Sequence, residues 1–558
     1  MRRAFYALTG SEALAFGAFA LFAGIALVWG LLDLQARFST VVPAKGGSIV
    51  EGSVGVPRLI NPLLATSDAD RELVALVYSG LVRMNASGEF IPDLAESYEV
   101  SEDGLTYTFH LRDASFHDGS PVSASDVAFT IARAVSPNLK SSKRAAWEGV
   151  TVETPDPKTV VFNLSQPYPR FIENATLGIL PERLWGGLAD EAFQHSIINA
   201  EPIGSGPFRV RELVRTDAGI PSAYVLEAFE EFTLGEPYIR TIDLRYYPNN
   251  EALAIALEAG EIDAAHGLSV DALESVERPD LTTLTAPLPR LFGAFFNQSK
   301  DPALADARVR RALTIAVDRT RITQEIFGGY ADARTTPMML DTAIEHDTSE
   351  ALKLLDTAGW NVVDGVLRKG DNADAEPLTL EITVPDAGNL PAVAEAVAAD
   401  WRSLGATVEL RIVEQASISA AIRPRDFEIL LFGQAVGWNP DLYAFWHSSQ
   451  RLDPGLNVSG YTNSAADRAL ARARGARDKD ELLGYHESFL KEFEADAPAA
   501  FLFSPRFAYV LSREIKGAEL GRISSPSDRF SMVHTWYIAT DSVWNAFVRN
   551  DSRIERTN

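Results

Sequence analysis

The chain has 558 residues, 46% hydrophobic and 23% charged, an ordinary globular composition but too long for a single core, so several lobes are expected. Its formal net charge of −25, from 76 acidic and 51 basic side chains, lacks the basic footprint that phosphate backbones require and speaks against a nucleic-acid partner. With no cysteine, disulfides, thiolate catalysis, cysteine zinc sites, iron–sulfur clusters and a lipid-modified cysteine tether are all excluded.

The first element is Ala13 to Leu32, ALAFGAFALFAGIALVWGLL, 20 residues without a charge between Glu12 and Asp33. A helix of that length spans about 30 Å, the thickness of a bilayer core. Arg2 and Arg3 precede it, so the positive-inside rule leaves residues 1–12 in the cytoplasm and sends the rest outside. A cleaved signal peptide calls for a shorter apolar core and a small-x-small site soon after it, and Asp33-Leu34-Gln35-Ala36-Arg37 offers no convincing one. The expectation is one transmembrane helix over residues 13–34, then a linker over 35–45 rich in small residues and Pro43.

Gly47 to Gly55 reads as an opening strand leading to Asn61-Pro62, and Asp68 to Val82 as an amphipathic helix with Leu73, Leu76, Val77 and Leu81 on one side. From Leu94 to Thr130, strands at Ser97–Val100 and Leu105–Leu111 flank the turn Ser101-Glu102-Asp103-Gly104, with Tyr107, Phe109 and Leu111 on one face. His117-Asp118-Gly119 makes a second turn, since Asp-Gly supplies the positive φ that tight turns need. Ser123 or Ser125 then caps a helix carrying Val127, Ile131 and Val135. Thr159–Leu164 alternates as a strand. In Glu201-Pro-Ile-Gly-Ser-Gly-Pro-Phe the glycines do not make a phosphate loop, because no lysine or helix follows and Pro207 removes a needed N–H.

Asn249 to Ala259 reads as a helix ending at Gly260, Leu291–Asn297 as an apolar strand, and Asp306 as the cap of a helix burying Val309, Leu313, Ala316 and Val317. A helix–strand unit over Val393–Ile412 and a buried strand at Phe427–Phe432 come next, and Ala466 to Asp496 is charged and helical. Strands around Phe501–Val510 bring the chain back toward its start. Strands and helices alternate throughout, so the fold class is α/β with mixed sheets.

The Leu94–Thr130 segment resembles the signature of family 5 extracellular solute-binding proteins, the peptide- and nickel-type receptors of ABC importers. Gly204-Ser-Gly-Pro-Phe208, Ala256-Leu-Glu-Ala-Gly-Glu-Ile-Asp263, Arg308-Val-Arg-Arg-Ala-Leu-Thr-Ile-Ala-Val-Asp-Arg319, Leu354 to Trp360 and Gly437 to Gln450 resemble further phrases of that family, in family order. The resemblance covers roughly residues 46–545. It implies a two-lobed periplasmic-binding-protein type II fold with an inserted third subdomain. The first lobe would comprise 46–60, 201–290 and 511–558, the inserted subdomain 61–200, and the second lobe 291–510, with Leu291–Asn297 crossing between lobes. It also implies an extracytoplasmic receptor that captures oligopeptides or a similar small solute by hinge closure. An ABC permease and ATPase encoded elsewhere would be its partners, and no cofactor and no catalysis are implied. A glycan, an opine-like compound or a metal chelate is the rival ligand, and a surface-anchored hydrolase on the same scaffold is the rival from another class.

No histidine pair has the i, i+4 spacing of a helical metal site, and His117 reads as turn surface. Neither a Gly-x-Ser-x-Gly elbow nor a His-Glu-x-x-His motif occurs. The candidate ligand residues are Asn61, in the Asn-Pro segment that lies near the ligand in the family, Asn297, and Trp438, Asn439, Asp441 and Tyr443 of the Gly437–Tyr443 loop. That loop exposes an indole, an amide and a carboxylate together, as a small-molecule cleft requires. Packing by Trp438 and Trp446 and helix capping by Asp441 are the alternative roles. Peptide-binding members commonly hold the peptide α-ammonium with an acid just upstream of this loop's proline. Here the neighbourhood is Ala435-Val436-Gly437 and Asn439 precedes the proline, so no carboxylate stands in the usual place: either Asp441 substitutes or the ligand is neutral or blocked at that end.

Overall fold

The computed structural model describes residues 9–168, 170–340, 346–438, 441–476 and 478–544. A mixed sheet of 12 strands organises the body. From one edge it runs Thr407–Glu414, Thr379–Asp386, Ile429–Ala435, Arg290–Phe296, Ala499–Ser512, Ala264–His266, Ser48–Val54, Thr241–Tyr247, Pro221–Ala228 and Phe208–Arg215. The opening strand pairs in parallel with Thr241–Tyr247, and Thr379–Asp386 in parallel with Thr407–Glu414, which is why helices such as Asn250–Glu258 and Leu390–Ser403 make the crossovers.

The 14-residue strand Ala499–Ser512 is shared between two cores. Its first part pairs with Arg290–Phe296, and its second with Ala264–His266 and Leu281–Pro287. Leu281–Phe296 runs antiparallel beside it, so the chain crosses between lobes twice, at Pro287–Arg290 and at Ser504–Arg506. There the Leu288 amide donates to the Pro505 carbonyl (2.9 Å) and Ser504 Oγ to the Leu288 carbonyl (2.8 Å). The apolar strand Arg290–Phe296 therefore has a partner in the crossing, and residue 511 lies within the shared strand.

A separate four-stranded antiparallel sheet, Ala95–Val100, Thr106–Leu111, Thr159–Asn163 and Thr151–Asp156, forms the body of the inserted part. Tyr107, Phe109 and Leu111 are buried on one face. Ser123 and Asp126 make a capping box at the start of helix Ala124–Val135. The helix expected over Asp68–Val82 ends at Val77, where Tyr78 turns extended, and Val82–Met84 becomes a short strand. His117 is not turn surface. Its Nε2 lies 3.0 Å from the Gly206 carbonyl, the Gly204 amide donates to its Nδ1 (3.4 Å), and its ring packs on Phe229. This contact ties the inserted sheet to the Gly204–Pro207 loop. A Cβ on Gly204 or Gly206 would lie 2.1 Å from the Val77 carbonyl oxygen or 2.5 Å from its carbon, so only glycine lets this loop lie on the end of the Asp68–Val77 helix.

The segment read as a linker is helical through Phe38. Ser39–Pro43 then forms a strand antiparallel to Thr540–Trp544, so the linker carries a β-ribbon with the far end of the chain. The N-terminal helix Gly10–Phe38 has 29 residues, and Leu14, Phe19 and Trp29 are between 73% and 78% exposed along it. Taken over the described residues, no helix is both long and apolar enough to cross a membrane, and the side chains at 30–38 of this helix lie outside the described set.

At the centre of the first lobe lies a fully buried charge network. Arg529 Nη2 donates to Glu51 Oε1 (2.8 Å) and Nη1 to Glu72 Oε1 (2.9 Å), Tyr509 donates to Glu51 Oε2 (2.7 Å), and His266 Nε2 lies 2.5 Å from Glu72 Oε1. Burial alone would raise both acids. For Glu72 it is outweighed by Arg529 and His266, which hold the carboxyl down to about 2, whereas for Glu51 burial outweighs Arg529 and Tyr509 and the pKa rises.

Removing the shared cation leaves Glu51 in the core without a counter-charge and Glu72 with His266 alone. Arg529→Met is expected to cost about 3–5 kcal/mol, read as a lower urea midpoint at pH 7. A pH dependence follows from two histidines. Burial lowers His117 to about 4 and His534 to about 3. Unfolded imidazoles take a proton near pH 6.5, so the unfolded chain binds more protons between there and pH 4, and this stability is present above pH 6.5 and lost as pH falls through the folded values. Each histidine contributes a slope of up to about 1.4 kcal/mol per pH unit. Denaturation of His117→Gln between pH 4.5 and 7 is expected to show a shallower slope than wild type, and an unchanged slope contradicts the assignment.

Candidate functional site

The strand Ile429–Ala435 ends at a turn in which Gly437 adopts φ +72°, a conformation that favours glycine. The amides of Val436 and Gly437 donate to the Pro289 carbonyl (3.0 and 3.2 Å), so the turn hangs from the interlobe crossing. From there Trp438 reaches a cavity of about 360 Å³ in which three parts of the chain meet. The inserted part contributes Tyr78, Arg83, Phe90, Asp93, Arg170 and Glu173, the C-terminal segment Arg522, Ser524, Ser527, Asp528 and Ser531, and the second lobe Gly437 and Trp438.

The cavity floor is held by hydrogen bonds and ion pairs. Arg83 Nε donates to Asp93 Oδ2 (2.9 Å), its Nη1 to the Ser531 carbonyl (2.9 Å), and its guanidinium lies 5.4 Å from the Phe232 ring. Thr233 donates to the other Asp93 oxygen (2.6 Å). Arg170 pairs with Glu173 (3.0 Å). Asp528 accepts from the amides of Ser524 and Ser525 (2.8 and 2.9 Å), and burial pushes its pKa up. Arg522 differs from the other two arginines. Its guanidinium lies 5.7 Å from the Trp438 ring centre and has no ion-pair or hydrogen-bond partner among the described residues.

The other candidates fall in different places. Asn61 is fully buried, and its Oδ1 accepts from the Leu63 amide (2.9 Å) as a local turn. Asn297 brackets two carbonyls, of Arg425 and Phe427 (both 3.0 Å). Asp441 occupies the N-cap position of helix Leu442–Trp446 but makes no capping bond with its side chain, which pairs instead with Arg474 (2.5 Å). Tyr443 lies under the same guanidinium (3.9 Å) and stacks on His447 (4.0 Å). Asp441 and Tyr443 thus form a cluster beside the cavity, with the Asp441 charge already partnered. Asn439 lies outside the described residues. Trp446 is core.

Sequence reasoning missed Arg83, Asp93, Arg170 and Arg522. The Asn85–Gly88 turn signals a hairpin that brings Arg83 and Asp93 together, but nothing local in the sequence links Arg522 to Trp438. A larger hollow of about 650 Å³, lined by Ser448, Arg451, Asn463 and Asp467, lies wholly on the second lobe. Asp467 there is already occupied by the Ser448 amide and hydroxyl (2.9 and 2.6 Å). Among the described residues no group of three or more histidine, cysteine or acidic side chains could hold a metal ion.

Two halves joined by two crossings, with a cavity where they and an insertion meet, define a binding protein. The model of the bacterial extracellular solute-binding proteins, family 5 Middle, matches residues 89–453, and the chain belongs to this family. The oligopeptide-binding protein AppA of Bacillus subtilis is 26% identical over 526 residues, covering 90% of this chain and 94% of its own. Among solved structures, NikZ from Campylobacter jejuni in complex with Ni(L-His) matches with a TM-score of 0.67 at 26% identity, covering 88% of this chain and 99% of its own. The ABC-transporter substrate-binding protein CtaP from Listeria monocytogenes matches with a TM-score of 0.74 at 26% identity, with the same coverages of 88% and 99%. The fold is the α/β periplasmic-binding-protein type II fold.

Proposed function

We propose that this chain is the extracytoplasmic receptor of an ABC importer and captures an oligopeptide or similar small solute at the Trp438 cavity. The observation that carries this reading is the cavity itself, walled by aromatic and polar groups from both lobes and the insertion. Its volume of about 360 Å³ is at the small end of ligand pockets and suits a short peptide. Closure would rotate the lobes about Pro287–Arg290 and Ser504–Arg506, carrying Trp438 onto the solute because its turn hangs from Pro289. The N-terminal helix would anchor the receptor in the membrane as a single pass. Support for that comes from the uncharged run 13–32 and the exposed apolar side chains along the helix. The permease and ATPase would be separate chains.

One observation favours a second reading, a non-peptide solute such as a metal chelate or an opine-like compound. Every acid lining the cavity is partnered, so none is free to hold a peptide's α-ammonium. Mass spectrometry of solute carried through purification separates the two.

If a ligand binds only the folded form, a hundredfold excess over Kd stabilises by about 2.7 kcal/mol. Full-length protein in mild detergent is expected to melt at a higher temperature with a di- and tripeptide pool. No shift with any pool contradicts the peptide assignment.

A further inference from the structure

We infer that the cavity selects solutes carrying a carboxylate, which it binds between the Arg522 guanidinium and the Trp438 indole N–H. This rests on the proposed solute-binding role of the cavity and specifies the chemistry of what it takes. Three arginines line the cavity, and two are neutralised, Arg83 by Asp93 (2.9 Å) and Arg170 by Glu173 (3.0 Å). The third acid, Asp528, is held by two backbone amides. Arg522 is exposed at the cavity wall and has no acidic partner among the described residues, so it is the one cavity arginine whose charge is left for the solute.

A second, independent observation points the same way. Trp438 Nε1 is a buried donor with no acceptor among the described residues. A buried N–H left unpaired is costly, and Trp438 lines the cavity, where an acceptor arriving with the ligand would pair its N–H. The indole N–H and the guanidinium both donate only, so their partner must offer acceptor oxygens, and an anionic one also pairs the guanidinium charge. A carboxylate meets that requirement, and arginine binds it by charge-assisted hydrogen bonds.

The backbone makes room for this arrangement. Gly88 has φ +81°, and a Cβ there would lie 2.7 Å from Arg522 Cδ and 2.8 Å from its Nε. Glycine at 88 therefore lets the Arg522 side chain lie along the Asn85–Glu89 turn toward Trp438. Ligand charge also explains the missing acidic clamp: a site that grips the anionic end of its solute does not need a carboxylate for a cationic end.

The test uses full-length protein in mild detergent and calorimetric titration with four probes: trialanine, trialaninamide, the nickel–histidine chelate and maltotriose. Binding of trialanine or the chelate, with trialaninamide at least tenfold weaker than trialanine and maltotriose not bound, is the expected result. Arg522→Gln should weaken the carboxylate probes by roughly tenfold to hundredfold while leaving the melting temperature of the free protein unchanged, and Arg522→Lys should recover part of the loss. Trp438→Phe, which keeps the ring and deletes the donor, should weaken the same probes by a smaller factor. Equal binding of trialanine and its amide, unaffected by Arg522→Gln, overturns the carboxylate inference and leaves the peptide receptor standing. Binding of the chelate alone overturns the peptide reading and supports the inference, and binding of none of the four overturns both.

Discussion

Arg529 is the residue on which the first lobe depends. Its guanidinium is fully buried and joins Glu51 of the opening strand to Glu72 of the Asp68–Val77 helix, while Tyr509 of the long shared strand closes the network. Two carboxylates could not share this core without it, since a buried charge is tolerated only when paired and hydrogen-bonded. The four segments so joined come from opposite ends of the chain, so their meeting fixes how the first lobe folds. The consequence reaches the cavity directly. Arg529 belongs to the short helix Pro526–Phe530, whose Ser527 and Asp528 line the cavity, and Arg83 donates to Ser531 just beyond it. One side of this turn is locked in the core and the other faces the cavity.

The second lobe is connected to that fixed frame by a narrow joint. Among the described residues, the stretches around Pro287–Arg290 and Ser504–Arg506 carry the sheet across, stiffened by Ser504 on Leu288 and by Arg506 on Asp332 (2.8 Å). The Gly437 turn is bonded to Pro289 in the joint itself, so a rotation there moves the Trp438 wall relative to the Arg83–Asp93 floor. Bending a short two-stranded joint repacks few side chains, which is how hinge closure stays inexpensive relative to the interactions a captured solute provides.

Much of this was legible in the sequence. Alternation at Tyr107, Phe109 and Leu111, the Ser123 cap and the Asp306 cap appear where the residue patterns put them, because these features depend on neighbours within a few residues. Family membership was legible too, from phrases such as His117-Asp118-Gly119 and Gly437-Trp438. What could not be read was contact between distant segments. Glu51 and Glu72 look like solvated acids until Arg529 arrives from the other end of the chain. His117 looks like turn surface until the Gly204 loop covers it. The spacing of Leu81 from Val77 predicts a helix, whereas Tyr78 leaves the helix where the Gly204–Pro207 loop lies on its end. At the site, Trp438 stood out because an aromatic after glycine at a strand end is conspicuous, while Arg522 carries no local signal at all.

In the proposed function the two lobes close on a solute at Trp438. The chain has no cysteine, so two introduced cysteines are the only labelling sites and a distance between spin labels can be read without background. Exposed Glu148 on the inserted part and exposed Arg472 on the second lobe are suitable positions. Pulsed electron–electron resonance on the Glu148→Cys, Arg472→Cys protein, with and without a hundredfold excess of trialanine or the nickel–histidine chelate, measures closure directly. The distance distribution is expected to shift to shorter values with the bound solute, and an unchanged distribution under saturating solute would contradict closure.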